Sequence, residues 1–273
     1  MLWRMGGRLG MLGAVSVALL GAEDLREIFA REVPRHLEVP GEEQARYAEI
    51  LRSYPLADQE CVLLVDRHPL VQAALLYAHD GEQFGFVGAD LVSTGKPGTF
   101  EHFLSPLGAF LHTPEHPDYR AAGTKNKNGI RGYGRKGMRV FDFGWREERQ
   151  TWGRKAMSQM RLQMHATDPD RLEPKLGTRQ SKGCIRISAA LNSFLDRYGV
   201  LDAEYDEARA RGEEFWLTMP AREAMPTPYR PGRFLVIVET ERSERPEWAK
   251  RGPEQKPVPT ATIKSGDSPH SPQ

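Results

Sequence analysis

Two side chains able to carry covalent catalysis stand close together in the 273-residue sequence. His165 is followed by fifteen residues and then by Ser181-Lys182-Gly183-Cys184-Ile185-Arg186-Ile187. A thiol with an unperturbed pKa near 8.5 is only a few per cent thiolate at neutral pH, so a cysteine nucleophile needs a base or a positive neighbour. Histidine suits the first role, because a ring titrating near 6.5 can take the thiol proton and later return a proton to a leaving amine. Lys182 beside the thiol is expected to favour the thiolate electrostatically. Gly183 permits a tight turn and open approach to the sulfur, and backbone N–H groups around Gly183 and Cys184 would hold a developing oxyanion. Ser181 reads as a residue that fixes the loop by hydrogen bonding rather than as a nucleophile. Arg186 is placed either to contact a substrate carboxylate with its fork or to order the loop.

The other cysteine, Cys61, opens an apolar run and reads as a packed core residue. Two cysteines are too few for a disulfide scaffold and lack the paired spacing of a zinc site. A Cys61–Cys184 disulfide would block the nucleophile. His36, His68, His79, His102, His112 and His116 have no comparable context and read as surface or loop residues. Tyr133 and Trp145 are aromatic core candidates or groove-lining residues.

The elements that must position His165 and Cys184 are mainly strands. Short apolar runs at 61–65, 73–77, 84–87 and 89–92 are separated by turn signals at Asp66, His79-Asp80-Gly81 and Thr94-Gly95, the pattern of consecutive strands and hairpins. Runs at 107–111, 138–143 and 160–164 continue it, and 215–219 and 234–238 read as closing strands. Leu191, Phe194, Leu195 and Tyr198 share one helical face, stopped by Gly199. The polar stretch 119–137, dense in Gly, Asn, Lys and Arg, reads as a long loop. The charges in and just after it, Arg120, Lys125, Lys127, Arg131, Arg135, Lys136 and Arg139, are expected to be solvated rather than to hold an anionic polymer over the cleft. The fold class is therefore mostly β, with a few helices at the ends of the sheets. Residues 55–240 form the expected folding unit, 23–54 a helical lead-in and 241–273 a Pro/Ser/Lys/Glu-rich disordered tail.

Lys plus Arg total 38 against 37 for Asp plus Glu, so no global field favours nucleic acid or an anionic membrane. Recognition must be local. Arg4 and Arg8 precede the small and apolar run 11–22, and Glu23-Asp24 follows it. That order reads as a secretory signal or N-terminal anchor over residues 1–22, which places the protein in the periplasm or cell wall, with membrane attachment only through that segment.

The catalytic segment resembles the YkuD domain of L,D-transpeptidases, whose signature is a His, a spacer of this length, and Ser-His-Gly-Cys followed by an apolar residue and Asn or Arg. His165, Ser181, Gly183, Cys184, Ile185 and Arg186 match. Upstream, Val92-Ser93-Thr94-Gly95 and Ser105-Pro106-Leu107-Gly108-Ala109-Phe110 are similar to the family's strand-end Ser-Thr-Gly and its Thr-Pro-x-Gly-x-Phe turn. Two departures stand out: Lys182 occupies the place of the usual second His, and Ala166 follows His165 where Gly is common. The resemblance implies a β-rich YkuD-like mixed sheet or sandwich. It also implies a reaction without metal or cofactor, in which Cys184 attacks the meso-diaminopimelate carbonyl of a peptidoglycan tetrapeptide stem, expels D-alanine and passes the acyl group to an amine. Two alternatives remain open at this level: an amide hydrolase of the same fold, trimming stems or releasing wall-bound protein, and a non-catalytic peptidoglycan-binding module.

Overall fold

The computed structural model describes residues 25–213, 225 and 229–250. Nine strands fall into two sheets among these residues. β1 (Glu60–Asp66), β2 (Ala73–His79), β3 (Phe84–Leu91), β4 (Gly108–Leu111) and β9 (Arg230–Val238) make a five-stranded sheet in the order β3-β2-β1-β9-β4. β5 (Tyr119–Arg120), β6 (Arg139–Arg149), β7 (Met157–Ala166) and β8 (Ile185–Ile187) make a four-stranded sheet in that order. Both are mixed: β1 runs parallel to β9, and β7 runs parallel to β8. The expectation of a mostly β fold with a few helices is met.

Alternation along the strands sorts the apolar residues into two layers. Leu63, Val65, Ala74, Leu76 and Ala78 of the first sheet meet Phe141, Phe143, Leu162, Met164, Ile185 and Ile187 of the second, so the main core lies between the sheets. The alternate residues Val62, Leu64, Ala73, Leu75 and Tyr77 face the other way and are covered by α2 (Gly41–Leu51) through Tyr47, Ala48 and Leu51. β1 is buried along its full length for this reason. α1, helical over 25–32, and α3 (Ala189–Arg197) close the main core with Leu25, Phe29, Leu191, Phe194 and Leu195. Ser188 caps α3 by accepting the Leu191 N–H at 3.0 Å.

Several elements differ from the sequence reading. The runs 84–87 and 89–92 form one strand passing through Gly88, where a Cβ would stand 2.2 Å from the Phe29 ring; the glycine marks helix contact rather than a turn. The lead-in helices belong to the packed body. So do residues 241–250, expected in the disordered tail. Arg242 forms an ion pair with Glu43 of α2, and the Trp248 ring packs edge-on against Tyr47 at 6.1 Å. α4 (Ala203–Ala210) was not anticipated. The expected signal over residues 1–22 and the strand at 215–219 lie outside the described residues.

Candidate active site

Three distant segments converge to build the loop that presents Cys184. The Ser105 hydroxyl accepts the Gly95 N–H at 3.0 Å and donates to the Gly183 carbonyl at 2.6 Å. Ser93 and Arg186 exchange backbone hydrogen bonds at 2.9 Å, and Lys96 N–H donates to the Ser181 carbonyl at 3.0 Å. Thr94 is held in turn by Gln72, whose Oε1 accepts the Thr94 N–H at 2.8 Å. Gly95 is required by space: an added Cβ would lie 2.0 Å from the Phe103 carbonyl oxygen. Gly183 is required by conformation, with φ at +135°.

The second sheet then sets the reactive side chains on one face. Because Met164 and Ile185 point into the core and are register partners, the flanking residues Gln163, His165, Cys184 and Arg186 point outward. Tyr119, Val140, His165 and Arg186 form one row across the four strands, and Asp142 and Gln163 form the next. A β-bulge between Asp142 and Trp145, containing Gly144 at φ +83°, returns Trp145 to this same face opposite Arg161. The sulfur of Cys184 lies 3.7 Å from the Arg161 carbonyl, which fixes it against β7. His165 is thus the register partner of Arg186, and Cys184 immediately precedes β8, two residues before that partner.

The electrostatics give each group a definite resting form. His165 is 5% exposed. Its Nδ1 lies 2.6 Å from the Ala166 carbonyl, which can only accept, so Nδ1 carries the proton and Nε2 keeps a free lone pair. Burial lowers the ring to about 4; the Ala166 bond opposes this, and Arg186 lowers it further. Burial raises the Cys184 thiol, against the lowering effect of a backbone hydrogen bond at Gln163 and of the Arg186 charge. At neutral pH the resting forms are therefore a neutral thiol and a neutral imidazole.

Other sequence candidates take different places. Lys182 pairs with Glu101 at 2.8 Å on the open surface, and the cation acting on the thiol is Arg186. The Gly183 N–H, expected to serve an oxyanion, donates to Ser181 Oγ at 3.1 Å. Ser181 also donates to the Cys184 carbonyl at 2.6 Å, so its hydroxyl is committed to the loop. Arg186 donates Nη1 to the Gln180 carbonyl at 3.2 Å, while its buried Nε has no hydrogen-bond partner. Both cysteines are free, and burial pushes the Cys61 thiol up to about 12. Tyr133 and Trp145 are 41% and 55% exposed rather than in the core; the Tyr133 ring sits 4.5 Å from that of His165. His112, expected at the surface, is fully buried between Asp118 and the Leu201 carbonyl. Arg139, expected in the solvated loop, is buried against Asp118 and Asp202.

Sequence reasoning missed Asp142, Arg161 and Gln163. Asp142 Oδ2 accepts from Gln163 Nε2 at 2.6 Å and lies 2.7 Å from Arg161 Nε. The alternation in Met160-Arg161-Leu162-Gln163-Met164 was the available signal, since a strand with one apolar face presents these polar residues on the other. Among the described residues no group of three or more His, Cys, Asp or Glu side chains is placed to hold a metal ion, and no helix is long and apolar enough to cross a membrane.

No protein-family model matches the chain, and no curated protein matches it. Among solved structures the chain is similar to Bd1075 of Bdellovibrio bacteriovorus, at 14% identity and a TM-score of 0.31, covering 65% of this chain and 50% of that one. It is similar to a fused Zn-dependent amidase/peptidase/peptidoglycan-binding domain-containing protein from Clostridium acetobutylicum, at 10% identity and a TM-score of 0.30, covering 73% and 63%. A mutant of the helical cell shape determining protein Pgp2 from Campylobacter jejuni aligns at 14% identity and a TM-score of 0.30, covering 84% and 59%. Two of these names concern peptidoglycan or cell shape. The chain spans between 50% and 63% of the length of these structures.

Proposed function

We propose that the protein is an exported L,D-transpeptidase, a cysteine acyl transferase acting on peptidoglycan stem peptides. The observation that carries this reading is the placement of Cys184 and His165 on one face of adjacent strands, with Nδ1 of the imidazole committed to Ala166 and Nε2 left as the base. As Sγ attacks the carbonyl of the L-centre residue, meso-diaminopimelate, Nε2 takes the thiol proton. Collapse of the tetrahedral adduct breaks the C–N bond, and the imidazolium returns that proton to the departing D-alanine nitrogen. A thioester on Cys184 remains. An acceptor amine then attacks it, His165 takes the amine proton, and the proton passes to the sulfur as the thiol is regenerated.

In this sequence the imidazole is unprotonated before attack and becomes charged only as the sulfur loses its proton, a transfer that burial of both groups opposes. Arg186 stands beside both groups and favours sulfur in its anionic form. Tyr119, Tyr133 and Trp145 offer aromatic surface along the same face for an extended peptide.

The test is product analysis by mass spectrometry with a tetrapeptide-stem donor and a saturating amine acceptor. Amine-exchanged or cross-linked product with release of D-alanine is the expected result. Tripeptide acid as the sole product would replace transfer by hydrolysis, and unchanged turnover in Cys184→Ala would remove the mechanism.

A further inference from the structure

Arg161 is held in a way that leaves its recognition edge open. Its Nε lies 2.7 Å from Oδ2 of Asp142, a carboxylate with no exposed surface, and its guanidinium carbon sits 5.8 Å from the centre of the Trp145 ring. The Arg161 side chain itself is 40% exposed. Among the described residues neither Nη nitrogen makes a hydrogen bond, and the ion pair with Asp142 is made at Nε. The neighbouring arginines differ. Arg186 donates Nη1 to the Gln180 carbonyl, and both Nη groups of Arg146 donate to the carbonyls of Phe143 and Trp145. Asp142 is fixed in turn, accepting from Gln163 Nε2 and, through Oδ1, from the Gly144 N–H at 2.9 Å.

The position relative to the sulfur matters as much as the open edge. The backbone carbonyl of Arg161 touches Cys184 Sγ, while its side chain leans across β7 toward β6. Strands lie about 4.8 Å apart, so a peptide whose carbonyl sits at Cys184 and which crosses the face toward Trp145 reaches the guanidinium within one or two strand spacings, about 5–10 Å. A planar fork with two free N–H edges matches a carboxylate. A cation already braced by a buried anion and an aromatic face loses little side-chain freedom when it binds one.

We propose that the free Nη edge of Arg161, braced by Asp142 and Trp145, binds a carboxylate of the donor stem and selects acidic over amidated donors. This assignment rests on the acyl-transfer reading given above. Two sources share the chemistry: the carboxylate of the departing residue, and the acyl-side carboxylates that stay with the thioester.

The experiment measures kcat/KM for the full-length wild type and Arg161→Gln with three tetrapeptide donors: the free acid, a peptide amidated at its C-terminal carboxylate, and one amidated at the acyl-side carboxylates. The wild type is expected to lose about 10- to 100-fold on one of the two amides, the range set by a charge-assisted hydrogen-bond pair. Arg161→Gln should lose a similar factor on the acid and show an acid-to-amide ratio near one. The amide that reveals the effect identifies the source. Each ratio comes from a single preparation, so loss of folded enzyme in the variant cancels. An acid-to-amide ratio unchanged from wild type in Arg161→Gln overturns the assignment, as does a wild type that does not discriminate, and both leave acyl transfer standing. Absence of turnover by the wild type with all three donors would overturn the acyl-transfer reading itself.

Discussion

Replacing His165 by Gln removes a titrating ring from a buried position and should change how stability depends on pH. Burial lowers the ring from 6.5 to about 4, and at 1.36 kcal/mol for each pH unit this corresponds to about 3 kcal/mol in favour of the neutral form. In the unfolded chain the ring takes a proton near 6.5, while in the folded protein it resists until about 4. Between these values the unfolded state binds more protons, so the contribution of His165 to stability is fully present above 6.5 and is lost as pH falls toward 4. Gln cannot charge. The stability of the wild type relative to His165→Gln should therefore fall by about 3 kcal/mol between pH 7 and pH 4. Urea unfolding of both proteins at pH 4, 5, 6 and 7 measures this, and other titrating groups, such as Asp90, which burial raises to about 7, cancel in the difference. A difference that stays constant across the range would refute a buried neutral imidazole. The acid limb of kcat/KM should likewise fall near pH 4 rather than 6.5.

Cys184→Ala should abolish turnover with an intact fold, whereas Cys61→Ser should retain turnover and lose about 1–3 kcal/mol by burying a hydroxyl; activity assays and urea melts of the two variants decide this. A thiol reagent at neutral pH should modify Cys184 before Cys61, because Cys61 is buried with its thiol pushed up to about 12, and equal labelling would count against that difference. Gly95→Ala drives a methyl into the Phe103 carbonyl and should cost on the order of 3 kcal/mol with loss of activity, read by thermal melting; a neutral outcome would mean the 93–105 crossing is looser than described. Trp248→Ala should destabilise by about 3 kcal/mol through loss of its packing on Tyr47 and α2, and an unchanged melt would return residues 241–250 to the role of a tail.

The proposed nucleophile and base stand out in the sequence because the chemistry they suggest is local: a histidine at a strand end and a cysteine after glycine need few residues to be singled out. The strands of the first sheet were legible for a similar reason, since β1 and β2 are apolar on both faces and bounded by turn residues. What was not legible depends on contacts across the chain. The runs 84–87 and 89–92 read as two until Phe29 is seen lying on the Gly88 between them. Arg139 reads as part of a basic loop until Asp118 and Asp202 surround it, and His112 completes that cluster with its charged form favoured by Asp118. Lys182 adjoins the thiol in sequence, but its side chain leaves the site for Glu101, and alternation gives the electrostatic role to Arg186 two residues beyond Cys184. Trp145 joins the face that carries Arg161 and Gln163 only because the bulge at Gly144 shifts the strand by one residue, which no periodic pattern anticipates.

The central claim is that acyl groups pass through the sulfur of Cys184, with His165 as the base. The direct measurement is intact-protein and peptide-level mass spectrometry of enzyme mixed briefly with a tetrapeptide-stem donor in the absence of acceptor, then quenched in acid. The account predicts a mass increase equal to the donor less its terminal amino acid, located on the peptide that contains Cys184, removed by hydroxylamine, and missing in Cys184→Ala and His165→Gln. An adduct on Ser181 or Cys61, or product formation by Cys184→Ala at the wild-type rate, would contradict it.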